Sequence, residues 1–305
     1  MKKKIYKVVV IGLGKAGSLY DINKDKFFSH SNSININKRL ELVAGVDSNK
    51  KKAIAFQKKY NLKAYLTINE LIKKEKFDLI VISVPTNKQF EVFKYLLKFI
   101  KNKTVLCEKP CTKNLKEITT IQTLCKIRKV KLYINFQRNS LKSSQLIKRI
   151  IKDEKQAFIN VTYSQGVLNS ASYYISLFLS FFSNRYSNLT KLKGYKSNIK
   201  NDFLSNFQIN FEKININFVS KPKFKKIYGA FELKGKKTNI KYLFGGRKII
   251  IKNNISKKIK QIKSDIHNSQ LLVYNQLINS LDGKKTSLCS IDNGIETFKI
   301  INKIK

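Results

Sequence analysis

Three glycines spaced Gly12-x-Gly14-x-x-Gly17 follow directly on an apolar run, residues 5–11 (IYKVVVI), that reads as a buried strand. In a turn that cradles a pyrophosphate each glycine has its own task. Gly12 permits the tight turn, Gly14 lets backbone approach the phosphates, and Gly17 lets the next helix pack on the strand. That helix, opening at Lys15 and Ala16, is expected to present unpaired N–H groups and its positive end to the phosphates. The second strand, residues 40–46, ends in Asp47, whose carboxylate can accept hydrogen bonds from the adenosine ribose. It stands about 30 residues past Gly17 instead of the usual ~20, so a loop is expected at about residues 21–38. Asp47 repels a 2′-phosphate and favours NAD, yet Ser48 and Lys50–Lys52 follow at once and could bind that phosphate, which leaves NADP open.

Metal chemistry is poorly supplied. Cys107, Cys111, Cys125 and Cys289 show no C-x-x-C spacing, and only His30 and His267 could join them, so no metal site is expected. The thiols read as small buried apolar groups in a reducing compartment. His267 falls on the polar side of an expected helix and reads as structural.

The elements that must position these groups change character along the chain. The first part alternates buried-strand and helical patterns, with strands also expected at residues 78–84 (DLIVISV), 104–107 and 131–135, and a capping box at Thr67-Ile68-Asn69-Glu70. That is the pattern of an α/β, doubly wound parallel Rossmann sheet over residues 1–138. From 139 to 305 the runs at 158–163, 207–218, 226–233, 239–244 and 248–251 read as longer, alternating strands, with turn signals at Gly235 and Gly245-Gly246. Helices are expected at 172–182 and about 265–281. An α+β domain with a mostly antiparallel open sheet is implied, serving substrate binding and oligomerisation.

The chain carries 62 Lys+Arg against 19 Asp+Glu, a formal +43, and such a field attracts polyanions. No run of like charge exceeds three residues and lysine is spread over every element, which argues for solvated lysines and against a nucleic-acid-binding function. A phosphorylated or nucleotide-linked substrate suits the same field. Lys7 interrupts the N-terminal apolar stretch, and the other apolar run, residues 173–182, falls short of the ~20 residues of a membrane span. A soluble cytoplasmic protein is expected.

These motifs, taken in order, resemble the glucose-fructose oxidoreductase, inositol dehydrogenase and MocA-like family, written Gfo/Idh/MocA. The matching residues are the glycine motif, Gly45-Val46-Asp47, Val84-Pro85-Thr86, Cys107-Glu108-Lys109-Pro110, Asn135-Phe136-Gln137-Arg138 and Tyr163-Ser164-Gln165-Gly166-Val167-Leu168. The tail from Val273-Tyr274-Asn275 to Leu288-Cys289-Ser290 continues the match. Members linked with bacterial surface polysaccharides look most similar. The resemblance implies an NAD(P)-dependent oxidoreductase that moves hydride between nicotinamide and a sugar or nucleotide-sugar carbon, acting as a homo-oligomer. It implies that Lys109 lies beside the nicotinamide and the reacting hydroxyl, where a cation stabilises a developing alkoxide. It further implies cofactor contacts from Pro85, Thr86, Gln89 and Glu108 besides the glycine loop, and substrate contacts from Arg138, Asn169 and His30. It also allows a cis bond before Pro110.

The chain departs from the family where a G-x-H-x-x-D segment usually carries the acid/base histidine. Ala171, Tyr173 and Ser176 hold those three positions, and Gln89 stands where a further histidine is common. Tyr173 is the expected substitute proton donor and acceptor, a phenol that titrates near ~10 in water and that Lys109 would bring down if it lay close. A catalytically silent dinucleotide-binding relative, acting as a sensor or assembly partner, is the alternative, and a basic nucleic-acid-binding protein the second.

Overall fold

Strands and helices alternate from the N-terminus: β1 (Tyr6–Ile11), α1 (His30–Asn35), β2 (Leu40–Val46), α2 (Lys50–Tyr60), β3 (Lys63–Tyr65), α3 (Ile68–Lys74), β4 (Leu79–Ile82), α4 (Thr86–Phe99), β5 (Thr104–Cys107), α5 (Leu115–Ile127) and β6 (Lys131–Ile134). There follow α6 (Lys142–Lys152), β7 (Ala157–Tyr163), α7 (Ser172–Phe181), β8 (Asn188–Lys196), β9 (Phe203–Phe211), β10 (Ile214–Ser220), β11 (Gly229–Gly235), β12 (Thr238–Leu243), β13 (Lys248–Asn253) and β14 (Ile259–Ile262). The chain ends with α8 (Ser269–Leu281), β15 (Cys289–Ser290) and α9 (Ile291–Ile304). The structure is a computed structural model that describes residues 3–21, 28–183, 185–196, 202–221 and 229–305.

The first unit comprises Met1–Gln137 and Asn268–Asp292. Its sheet runs β15-β6-β5-β4-β1-β2-β3, parallel except for β15 against β6. β4 and β5 are buried along their whole length, as strands covered on both faces must be, which explains their unbroken apolar runs. The strand order reverses on either side of β1, so the switch point lies at the carboxyl ends of β1 and β4, where ligands of such sheets bind. Thr67 and Glu70 form the expected capping box on α3, and Asn49 and Asn114 cap α2 and α5.

The second unit comprises Arg138–His267 and Asn293–Lys305. Its sheet, β14-β13-β12-β11-β7-β10-β9-β8, is antiparallel except where β10 lies parallel to β7. The buried side chains of α7, among them Tyr174, Phe178 and Phe181, join a core with Phe207, Phe218, Phe231 and Tyr242 of the sheet. Phe178 meets Phe231 edge-on at 5.4 Å. Truncating such a ring to alanine typically costs about 3–5 kcal/mol.

The Rossmann sheet followed by a mostly antiparallel sheet is the expected fold class. Four details differ from the sequence reading. The sequence pattern places residues 139–305 wholly in the second domain, whereas α8 and β15 belong to the first unit: Val273, Tyr274 and Leu277 bury against its core, and Cys289 pairs with Ile134. The single strand expected at 207–218 is a hairpin. Phe207, Ile209 and Phe211 are buried on β9 and Ile214, Ile216 and Phe218 on β10, and the shift in alternation falls at the Glu212-Lys213 turn. The helix expected after Gly14 is only a π-helical turn, Lys15–Leu19, in a stretch that includes Gly17 and Ser18. The loop expected at 21–38 contains α1, capped by Ser29, and residues 22–27 lie outside the described ones, as do 226–228 of the strand expected at 226–233.

Candidate active site

The glycine loop sits at the switch point and sorts its three glycines by space. Gly12 has φ +93°, and a Cβ there would lie 2.7 Å from the Ser83 carbonyl carbon; at Gly17 it would lie 1.9 Å from Gly12 O. Neither site accepts a side chain. Gly14 is open, its nearest neighbour being Lys52 Nζ at 4.0 Å. Two packing glycines around one open glycine is what a pyrophosphate approaching backbone requires, so the loop fits a dinucleotide. Lys15 is exposed and Ala16 half-buried beside it.

At the end of β2 the Asp47 carboxylate is tied to this loop. Oδ2 accepts from Leu13 N–H at 2.9 Å and Oδ1 from Asn49 N–H at 2.9 Å. Lys52 Nζ stands 3.7 Å from Oδ2. Asp47 therefore has a cation beside it, and its preference against a 2′-phosphate is weaker than its residue type alone suggests. Ser48 is exposed at the same edge.

Pro85 precedes α4, leaving Pro85 exposed and Thr86 half-buried at the carboxyl end of β4. Gln89, read from sequence as a cofactor contact, is 1% exposed. Its Nε2 donates to Val84 O at 3.1 Å and Glu108 O at 3.2 Å, so it ties the ends of β4 and β5 together. The bond between Lys109 and Pro110 is cis.

Glu108 ends β5, and its Oε1 accepts from His30 Nε2 at 2.9 Å and Asn135 Nδ2 at 2.6 Å. Burial pushes its carboxyl up, but the hydrogen bond and electrostatic attraction of His30, the hydrogen bond of Asn135 and the charge of Lys109 together outweigh burial and hold it below the usual range. His30, read as a substrate contact, is 1% exposed, with Nδ1 2.8 Å from Tyr274 OH and 3.0 Å from Gln270 Nε2. A ring enclosed on both nitrogens belongs to the interior of this unit. The sequence reading missed Asn135, Gln270 and Tyr274 as members of this group. The signal was present in the four-residue spacing of Gln270 and Tyr274 on α8, which puts them on one helix face.

In the second unit Arg138 lies against two tyrosines. Its guanidinium carbon is 4.4 Å from the Tyr173 ring centre and 5.2 Å from that of Tyr174. Its Nη2 donates to Gly245 O at a long 3.5 Å, the buried Tyr242 hydroxyl is a further hydrogen-bond partner, and its buried Nε has no partner among the described residues. Tyr173 is half-buried and Tyr174 buried. Ser176, at the position of the usual aspartate, accepts from Asn139 Nδ2 at 3.3 Å. Asn169 is exposed, its N–H held by Asp202 Oδ2 at 3.0 Å.

The four cysteines are buried and free. No group of three or more His, Cys, Asp or Glu among the described residues could hold a metal, and no helix among them is long and apolar enough to cross a membrane.

Residues 6–136 match the model of the Gfo/Idh/MocA oxidoreductase family with NAD-binding Rossmann fold. The matched stretch spans the sheet from β1 to β6. No curated protein matches the chain. Solved structures with the same fold include a dehydrogenase from Chromobacterium violaceum (TM-score 0.83, 12% identity, covering 99% of this chain and 95% of that one). Another is a UDP-N-acetylglucosamine 3-dehydrogenase from Acidithiobacillus ferrooxidans (0.80, 12%, 98% and 96%). A third, an oxidoreductase from Agrobacterium radiobacter, was solved with NAD+, L-tartaric acid and magnesium (0.74, 12%, 97% and 94%). These structures share the fold over nearly the whole chain.

Proposed function

We propose that the protein is an NAD(P)-dependent oxidoreductase acting on a carbinol carbon of a sugar, most suitably a nucleotide-linked one. The observation that carries this reading is the open Gly14, flanked by two glycines that admit no side chain, at the same sheet edge as Glu108-Lys109-Pro110. Gly12, Gly14, Lys15, Ala16, Asp47 and Ser48 hold the dinucleotide, and Pro85 and Thr86 border its nicotinamide. That group, when bound, accepts or supplies the hydride. Lys109 polarises the substrate oxygen, Tyr173 exchanges the hydroxyl proton, and Asn169 contacts the substrate. Arg138, with donors to spare, takes a substrate carboxylate or phosphate. Arg138 is also the cation found against Tyr173, in the part that sequence reasoning gave to Lys109.

The protein works in the cytoplasm, as a homo-oligomer whose association needs anions to screen +43 per chain. The UDP-sugar dehydrogenase among the fold relatives suggests the first substrates to try. The test is turnover with NAD+ and NADP+ on UDP-sugars, including uronates. Reduction of either dinucleotide by an anionic sugar, lost in Lys109→Met, supports the reading. Dinucleotide binding with no turnover on any of them replaces it with the silent relative, a reading favoured by Ala171, Tyr173 and Ser176 at the usual G-x-H-x-x-D positions.

A further inference from the structure

In a sheet of this kind the group at the end of the second strand selects the dinucleotide, and here the Asp47 side chain is only 10% exposed while that of Lys52 is 39% exposed. The carboxylate is turned inward. Its Oδ2 accepts from Leu13 N–H of the glycine loop at 2.9 Å, and its Oδ1 accepts from Asn49 N–H, the cap of α2, also at 2.9 Å. Asp47 thus clamps the loop to the start of α2. A carboxylate that selects NAD turns its oxygens out to the ribose hydroxyls, where its charge keeps a 2′-phosphate away.

Lys52 takes the outward position. It stands on the first turn of α2, with Nζ 3.7 Å from Asp47 Oδ2 and 4.0 Å from the point where a Cβ on Gly14 would lie. One ammonium therefore borders both the end of β2 and the open side of the glycine loop. Lys50 and Lys51 are exposed beside it, the first turn of α2 holds no acidic residue, and Asp47 is the one carboxylate of the sequence between Glu41 and Glu70. The positive end of the helix adds to these cations. Ser48, exposed at the same edge, offers a hydroxyl.

We propose that Lys52 and Ser48 form a subsite for the 2′-phosphate of NADP(H), and that Asp47 is a clamp of the glycine loop, so that the protein prefers NADP(H) to NAD(H). The proposal rests on the dinucleotide reading given above and names the cofactor. It reverses the preference that Asp47 carries by residue type. A phosphate monoester bears about −1.5 to −2 charges at pH 7, and one inward carboxylate already facing an ammonium opposes it less than three lysines attract it.

ADP-ribose and its 2′-phosphate differ only by the group in question, and neither carries nicotinamide, so binding is read without turnover. Calorimetry at about 0.15 M salt should show wild type holding the 2′-phosphate form at least about tenfold more tightly, as one or two hydrogen bonds to a charged group provide. Lys52→Gln should cut that preference to about threefold or less. Because the field of the whole chain also draws anions, Lys252→Gln serves as control: it removes the same charge from an exposed position on β13 of the second unit and should keep the wild-type preference. Equal or tighter binding of ADP-ribose by wild type, or the same loss of preference in both variants, would overturn the proposal and leave the dinucleotide reading standing. Binding of neither compound would strike the dinucleotide reading, and the subsite with it.

Discussion

The surroundings of Glu108 and of Arg138 solve the same problem, holding a charged group in place, by opposite means. Glu108 is held by directional hydrogen bonds drawn from α1, α8 and the end of β6, and each fixes the next. Arg138 is held chiefly by two aromatic faces, with a long hydrogen bond to Gly245 O, the Tyr242 hydroxyl close by and a buried Nε without a partner among the described residues. Hydrogen bonds specify orientation before any ligand arrives, whereas stacking fixes a plane and leaves donors for one. The first region suits permanent machinery and the second suits recognition.

The sharpest way to break this contrast is Lys109→Met. If the first region is machinery, turnover on an accepted sugar should fall by about 10² to 10³, with dinucleotide affinity within a few-fold of wild type, as loss of transition-state charge stabilisation does. Steady-state kinetics beside calorimetry would show it; a rise in KM alone would make Lys109 a binding residue. Tyr173→Phe comes next. It keeps the ring under Arg138 but removes the proton-exchanging hydroxyl, and should lower kcat by about 10². Unchanged turnover would assign the ring to packing. Smallest is Lys52→Gln, which strips the cation from Asp47 and should shift preference toward NAD by about tenfold, read as the ratio of NADPH to NADH dissociation constants. An unchanged ratio would remove Lys52 from cofactor selection.

Much of the first region was legible in sequence because its rules are local. The glycine spacing, the carboxylate at the end of β2 and the capping box at Thr67 each follow from neighbouring residues along the chain. The phase break between Phe211 and Ile214 was equally legible, yet the uniform apolar content hid the turn. Strand β8 escaped because its sequence, NLTKLKGYK, has too little apolar alternation to mark it. The group around Glu108 could not be read, since His30 and Gln270 are separated by 240 residues and meet only because α8 returns to the first unit. Burial, which engages His30 and Gln89 in internal hydrogen bonds, is likewise a tertiary property.

The central claim is that the glycine loop binds a dinucleotide, and Gly14 tests it most directly. Because a side chain there meets nothing closer than Lys52 Nζ at 4.0 Å, Gly14→Asp should fold as wild type, unlike Gly17→Ala, whose Cβ would lie 1.9 Å from Gly12 O. Titration of NADH by calorimetry at about 0.15 M salt should give one site per wild-type chain and at least about a hundredfold weaker binding to folded Gly14→Asp, where a carboxylate meets the pyrophosphate. Binding of NADH equal in the two proteins, or binding of duplex DNA but no dinucleotide by wild type at that salt, would contradict it.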